Sequence, residues 1–328
     1  MLCPFALVAE GFRVATFHAE LTRKGPGLLL RDVLRGKDEQ IAALEQINAT
    51  VRPDVLLLTK VDFDLEKRTA KALQHALGYA HSFALAPNSM IPTDLDLDGD
   101  GRAMDRQTWA RYAGEGAMLL SQHPVALKYH LADLAWKDMQ NPKMPIDAAG
   151  QPFPSKPAQD VQKVVSQGLW IVEIRPKSKT SFTAVLFQNQ TPVFDGPEDQ
   201  NGLRNAAQLR LLEDVMRGQY GSFPKDRFVL IGNTNLDPNA GAGDRGAMLD
   251  LLNDKRLQDP RPRNRLGEDA TVVWEKAGPM RVSYVLPSAD WTVERAELFW
   301  PKDGPLRQAA EQASRHKMVW VQITPRPQ

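Results

Sequence analysis

Apolar and polar positions along this chain change period in a regular order. "FRVATFHAE" (12–20) alternates apolar and polar and predicts a strand. "EQIAALEQINATV" (39–51) has helical spacing, and Pro53 stops it. "RPDVLLLTKVDFD" (52–64) then carries a continuous apolar run of the kind that suits a strand covered on both faces. A second helix is predicted over 66–78, ending at Gly78, and a strand over 114–124. Between them lies a polar loop, 87–107; a second irregular stretch, rich in Pro, Lys and Asp, covers 138–157. Segments 169–176 and 181–189 predict a hairpin, and helices follow over about 205–217 and 244–253 on either side of a strand at 227–232. Segments 280–288, 291–300 and 315–323 close the chain as strands. Strand–helix alternation of this kind argues an α/β fold. No linker interrupts 12–325, which is expected to form one domain behind an N-terminal segment, 1–11.

Several strands end in polar residues. "FVLIGNTNLDPN" (228–239) leaves its apolar run at Gly232 and presents Asn233, Asn235 and Asp237 at every second position. "TFHAE", "LLTKVDFD", "LFQNQTPV", "RVSYVLPS" and "ASRHKMVW" end in the same manner. In order and spacing, over about residues 12–323, these blocks resemble the signature blocks of the endonuclease/exonuclease/phosphatase superfamily. The resemblance implies a four-layer α/β sandwich, two packed mixed sheets flanked by helices. It also implies an ancestral divalent-metal-dependent phosphoester hydrolase. Such a site has a metal-holding Asn and Glu, a phosphate-contacting His, a water-activating Asp with a partner Asn, and a Ser-Asp-His block whose His is oriented by a further Asp.

On that resemblance the blocks persist while their chemistry changes. His18 stands at the Asn position, Lys60 at the metal Glu, Gln188 at the middle His and Asn233 at the water-activating Asp. Arg315 stands at the second Asp, and Ser283 at the Asp that would orient the His. Asn235 and His316 are retained. An amide keeps a carboxylate's shape but is no effective base near neutral pH. Glu to Lys changes local charge by two units, a repulsion on the order of several kcal/mol for a nearby cation at an effective dielectric near 20. The expectation is a site with impaired or lost catalysis, unsuited to Mg²⁺ or Mn²⁺. Lys60, Arg315, His316, Asn233 and Asn235 would instead hold a small anionic, phosphate-containing ligand. The alternative is an active phosphodiesterase or nuclease whose metal has moved to Asp62 and Asp237; turn-capping roles compete for those two residues.

A second cation candidate lies in "DLDLDGDGRAMD" (94–105). Asp94, Asp96, Asp98 and Gly99, with Asp105 twelfth, have the alternation of a Ca²⁺ loop; so do Asp96, Asp98, Asp100 and Gly101, with Gln107 twelfth. Neither register supplies a bidentate Glu. Asp195, Glu198, Asp199 and Asn201 form another polar loop, which reads either as a border of the cleft that positions a substrate or, the favoured reading, as a loop braced by its own turns and by Arg204.

Whole-chain properties add limits. Net charge is +1, so no bulk field draws nucleic acid, and a grip on a polyanion has to be local. The single cysteine, Cys3, excludes an intrachain disulfide. No stretch reaches the roughly 20 apolar residues of a membrane span. The opening "MLCPFALVA" reads either as a lead into the first strand or as the stub of an export signal. The first makes the protein cytoplasmic, the second periplasmic or secreted, a setting that Ca²⁺ would suit. A monomer is expected.

Overall fold

A computed structural model describes residues 11–110, 114–177 and 180–326. Two large mixed sheets carry the fold. The first runs in the order β12 (Trp291–Phe299), β13 (Met318–Pro325), β1 (Phe12–Leu21), β2 (Val55–Asp62), β4 (Glu115–Ser121), β3 (His81–Phe83). The second runs β11 (Ser283–Pro287), β8 (Phe228–Asn233), β7 (Phe182–Gln188), β6 (Gly168–Ile174), β5 (Val125–His130). β1 and β2 are parallel, as are β7 and β8, and the other pairs in these sheets are antiparallel. A short hairpin, β9 (Val272–Trp274) and β10 (Gly278–Met280), stands apart.

Strand alternation sorts the apolar residues into three layers. Phe12, Val14, Val55, Leu57, Ala184, Leu186, Val229, Ile231, Val285 and Val319 fill the space between the sheets. On the outer face of the first sheet, Phe17, Leu58 and Met118 meet α1 (Leu28–Arg35), α2 (Glu39–Val51), α3 (Arg68–Ala76) and α7 (Pro305–Ala313) through Leu29, Ile47, Leu73 and Ala310. On the outer face of the second, Val185, Leu230 and Tyr284 meet α5 (Gln200–Met216) and α6 (Arg245–Leu252) through Leu209 and Met248. A small helix, α4 (Lys156–Val161), precedes β6. Helices outside, sheets inside: this is the four-layer sandwich that the resemblance implies, and the α/β class that the strand–helix order predicts.

Local chemistry sets the element ends. Asp38 caps α2 by accepting from the Ile41 amide at 3.0 Å, and Arg52 ends it in the left-handed region just before Pro53. Asp64 accepts from the amides of Arg68 and Thr69 and starts α3. α5 begins at Gln200, earlier than the periodicity predicts, because Asp195 accepts the Asn201 amide at 2.5 Å. Arg204 does not brace that loop. It is buried and donates to the carbonyls of Gln107, Lys163 and Val164, tying the loop before β4 to α5.

Helices α1 and α7 and the strands β3, β5, β9 and β10 are absent from the sequence reading. Each is nine residues or shorter. Such pieces are weak in isolation and form here by packing on the sheets.

Candidate functional site

The inter-sheet rows of apolar residues end in polar ones at a single edge of the sandwich. Phe12 and Val14 lead to Thr16 and His18; Val55 and Leu57 lead to Thr59. Ala184 and Leu186 lead to Gln188, Val229 and Ile231 lead to Asn233, and Val285 is preceded two positions earlier by Ser283. Register places His18 beside Thr59, Gln188 beside Asn233, and Ser283 beside Asn233. Each apolar member of these rows contributes about 1.5–3 kcal/mol by burial. A polar side chain at the row's end forfeits that gain and has to be hydrogen-bonded instead.

Two of those bonds join the sheets. Asn233 Nδ2 lies 2.9 Å from His18 Nδ1, and Gln188 Oε1 accepts the Lys60 amide at 3.1 Å. The orientation of the Asn233 amide is settled by its other end, where Oδ1 accepts the Asn235 amide at 2.7 Å. Nδ2 therefore donates to His18 Nδ1. Thr59 Oγ1 stands 2.9 Å from the same nitrogen. With Nδ1 acting as acceptor, the neutral ring carries its proton on Nε2. Burial, then the charges of His316, Lys60 and Arg315, hold the His18 pKa well below its ordinary value.

His316 packs against His18 with ring centroids 4.3 Å apart, and the edge of Trp274 covers it at 5.4 Å. It is 1 % exposed, and neither ring nitrogen has a hydrogen-bond partner among the described residues; nor has Ser283 Oγ. Burial is the main force lowering the His316 pKa, to about 4, with Glu20 opposing and Arg315 and Lys60 assisting.

A β-bulge shapes the rim. Two residues of β1, Ala19 and Glu20, face one residue of β2, Lys60, because the register slips between His18 and Leu21. Glu20 and Lys60 both sit in the left-handed region, at φ 50° and 58°. A bulge re-aims side chains, so alternation does not carry from Lys60 to Asp62. Lys60 is half-buried and makes no salt bridge among the described residues. Arg315 does: its guanidinium and its own amide donate to the Glu20 carboxylate, and Cζ lies 4.9 Å over the Trp274 ring. Burial pushes the Glu20 pKa up, but the bonds from Arg315 outweigh it and the net shift is downward.

The edge thus brings together His18, Lys60, Gln188, Asn233, Ser283, Arg315 and His316. Asn235 lies beside them, half-buried, its Nδ2 donating to the Asn189 carbonyl at 2.8 Å. Asp62 and Asp237 are employed elsewhere. Asp62 accepts the Arg23 amide. Asp237 accepts the amides of Asn239 and Ala240, and that of Arg281. Sequence reasoning missed Glu20, Thr59 and Trp274. Glu20 and Thr59 lie in the quoted blocks, next to residues that were picked out; Trp274 had no block to mark it. A cavity of about 380 Å³ lies at the far end of β7 and β8, lined by Lys128, Thr183 and Arg227, away from this chemistry.

In the acidic loop, carboxylate oxygens of Asp96, Asp98 and Asp105 lie within 4.8 Å of one another, the only such group among the described residues. Burial, and after it the charges of Asp105, Asp100 and Asp96, raise the Asp98 pKa. Asp94 and Asp100 stand outside the trio. Gln107 is buried and bonded to Val161 and Lys163, so the twelfth place of the second register offers no ligand. Gly99 takes φ +80°, and a Cβ there would lie 2.3 Å from the Phe153 ring.

Three findings relate the chain to known proteins. The profile of the Endonuclease/Exonuclease/phosphatase family matches residues 30–316. No curated protein matches. An endonuclease/exonuclease/phosphatase from Beutenbergia cavernae DSM 12333 is similar in structure at 17% identity and TM-score 0.56, covering 96% of this chain and 72% of its own. A family protein from Bacteroides thetaiotaomicron is similar at 12% identity and TM-score 0.55, with 97% and 99% covered. Sphingomyelinase C from Streptomyces griseocarneus is similar at 15% identity and TM-score 0.52, with 95% and 99% covered. Likeness at these identities concerns the fold, and it agrees with the layers and sheet order above. With the profile spanning most of its length, the chain belongs to the endonuclease/exonuclease/phosphatase family.

Proposed function

We propose that this family member has lost metal-dependent phosphoester hydrolysis and uses the same edge of the sandwich to bind a small anionic, phosphate-containing ligand. The observation that carries the reading is the donor set: the rows ending in Thr16, His18, Thr59, Gln188, Asn233 and Ser283 include no carboxylate, and Lys60 stands at their mouth. A hard divalent cation wants anionic oxygens. The His18 lone pair that could serve a metal is occupied by donors from Asn233 and Thr59. These residues do not fit the family's cation. They do fit an anion, with a cationic Lys60, a neutral His18 Nε2–H and the unpartnered ring of His316 as donors.

A relocated metal on Asp62 and Asp237 is the weaker reading, since backbone amides occupy both carboxylates. We further propose that the Asp96, Asp98 and Asp105 trio takes Ca²⁺ and shapes its loop. The decisive experiment pairs turnover with binding. Bis(p-nitrophenyl) phosphate is offered with Mg²⁺, Mn²⁺ and Ca²⁺, and inorganic phosphate is titrated calorimetrically. No turnover, with phosphate binding abolished in Lys60→Ala, is expected. Turnover that vanishes in Asp62→Ala would defeat the reading.

A further inference from the structure

Arg315, a second cation at the rim beside Lys60, is not idle. Its guanidinium and its amide together make paired bonds to Glu20. Glu20 is brought there by the bulge in β1, at φ 50°, beside Ser314 Oγ, whose single proton lies between the His18 carbonyl at 2.8 Å and Glu20 Oε2 at 3.2 Å. The same guanidinium stacks on Trp274, whose edge roofs His316. Glu20, Arg315, Trp274 and His316 therefore form one continuous chain of contacts from solvent to the buried imidazole. Arg315 keeps 62 % of its side chain exposed while Glu20 keeps 16 %, so the guanidinium can be approached from outside while its partner cannot.

We propose that Glu20 is a built-in competitor for the ligand. Its carboxylate occupies, in the free protein, the place on Arg315 that the oxyanion of the ligand takes when it binds. The inference rests on the anion-binding reading above and narrows its ligand to an oxyanion with two oxygens spaced for a guanidinium, as in a phosphate or a carboxylate. Exchange of Glu20 for the ligand loosens the stack of Arg315 on Trp274 and uncovers His316, whose unpartnered nitrogens then reach the ligand. Glu20 acts through Arg315 and is a positioning residue.

The test compares wild type with Glu20→Gln, which keeps the side chain's length and removes its charge; Glu20→Ala repeats the comparison if the first variant folds poorly. Inorganic phosphate and malonate are titrated separately, so that phosphate and carboxylate sources are told apart by which binds tighter. An exposed ion pair is worth up to about a factor of five, and this paired one somewhat more, so affinity is expected to rise about five- to tenfold in Glu20→Gln. Modification of His316 by diethyl pyrocarbonate, read by peptide mass, is expected to rise at least about threefold without ligand as the roof loosens. Phosphate binding that is present but equal in wild type and Glu20→Gln would overturn the competition and leave the anion site standing. Absence of binding in every variant would remove both. Unchanged His316 labelling would overturn the coupling to Trp274.

Discussion

The crevice edge and the acidic loop are chemical opposites on one chain. The crevice rows end in donors without carboxylates, two neutral imidazoles and the Asn233 amide with Lys60 at their mouth, and the rim acid Glu20 is held by Arg315. The loop gathers carboxylates: Asp96, Asp98 and Asp105 converge within 4.8 Å, while Arg102 stands 3.8 Å from Asp100, outside the trio. The crevice residues come from the strand-end blocks of the sequence, and the loop residues do not. On the proposed function, cation-holding and anion-holding chemistry, which a metal-dependent phosphoester hydrolase superimposes in one place, are separated in space. The difference also shows in what each region does with its spare hydrogen bonds. Crevice groups bond across two sheets, Asn233 to His18 and Gln188 to Lys60, and so help close the sandwich. Loop carboxylates bond chiefly to nearby amides, as Asp96 does to Gly99 and Gly101.

The largest expected effect comes from reversing the crevice. Lys60→Glu, Asn233→Asp and Arg315→Asp together replace two cations and an amide by three carboxylates. Charge changes of that size within a few ångströms are worth several kcal/mol, so Mn²⁺ affinity at the crevice is expected to rise more than about a hundredfold. Electron paramagnetic titration of Mn²⁺, with Asp98→Asn added to silence the loop, measures it. Unaltered affinity would mean that the backbone there, and not its side chains, excludes the ion.

Next comes the pH dependence of stability. His316 has a folded pKa of about 4 against an ordinary 6.5, and His18 is lowered in the same direction. The unfolded chain binds more protons than the fold between those values, so stability rises with pH there. The contribution of these imidazoles is complete above about pH 6.5 and is lost as pH falls toward 4. The His316 share is about 3 kcal/mol. Urea midpoints from pH 7.5 to 4.5 check the slope, and His316→Gln is expected to flatten it. A slope unchanged by that variant would place the proton uptake elsewhere.

How far the sequence could be read follows from period. The rows Val229–Ile231–Asn233 and Leu186–Gln188 lie in continuous apolar runs that end in polar residues, so the buried strands and their polar ends are legible in the sequence. Glu20 was hidden for the opposite reason. Alternation sets it on one face with His18, and the bulge opposite Lys60 turns it to Arg315, while no single residue announces a bulge. Asp62, expected as a ligand of a relocated metal, instead accepts the Arg23 amide in the loop after β1, and Asp64 serves the first amides of α3. Trp274 sits in a three-residue strand, too short for any period to show. The loop's alternating acids were plain, but which of them converge depends on the turns at Gly99 and Gly101, and those left Asp94 and Asp100 outside.

The two smaller effects test the loop side of the comparison. Ca²⁺ at about a hundred times its dissociation constant adds about 2.7 kcal/mol to a fold that alone binds it. For a chain of this length that is a rise of several degrees in melting temperature. The rise is expected to vanish in Asp98→Asn and to weaken below neutral pH, because the raised pKa of Asp98 makes protonation compete with the ion sooner than at an ordinary carboxyl. The smallest effect is the sharpest discriminator. Asp94 is exposed, outside the trio, and first in one of the two registers that the sequence offers equally. If geometry and not spacing selects the ligands, Asp94→Asn changes both the Ca²⁺-dependent rise and the ion-free stability by less than about 0.5 kcal/mol. A loss as large as that of Asp98→Asn would show that the loop rearranges around the ion into the first register, and that the trio seen here is the arrangement of the ion-free loop.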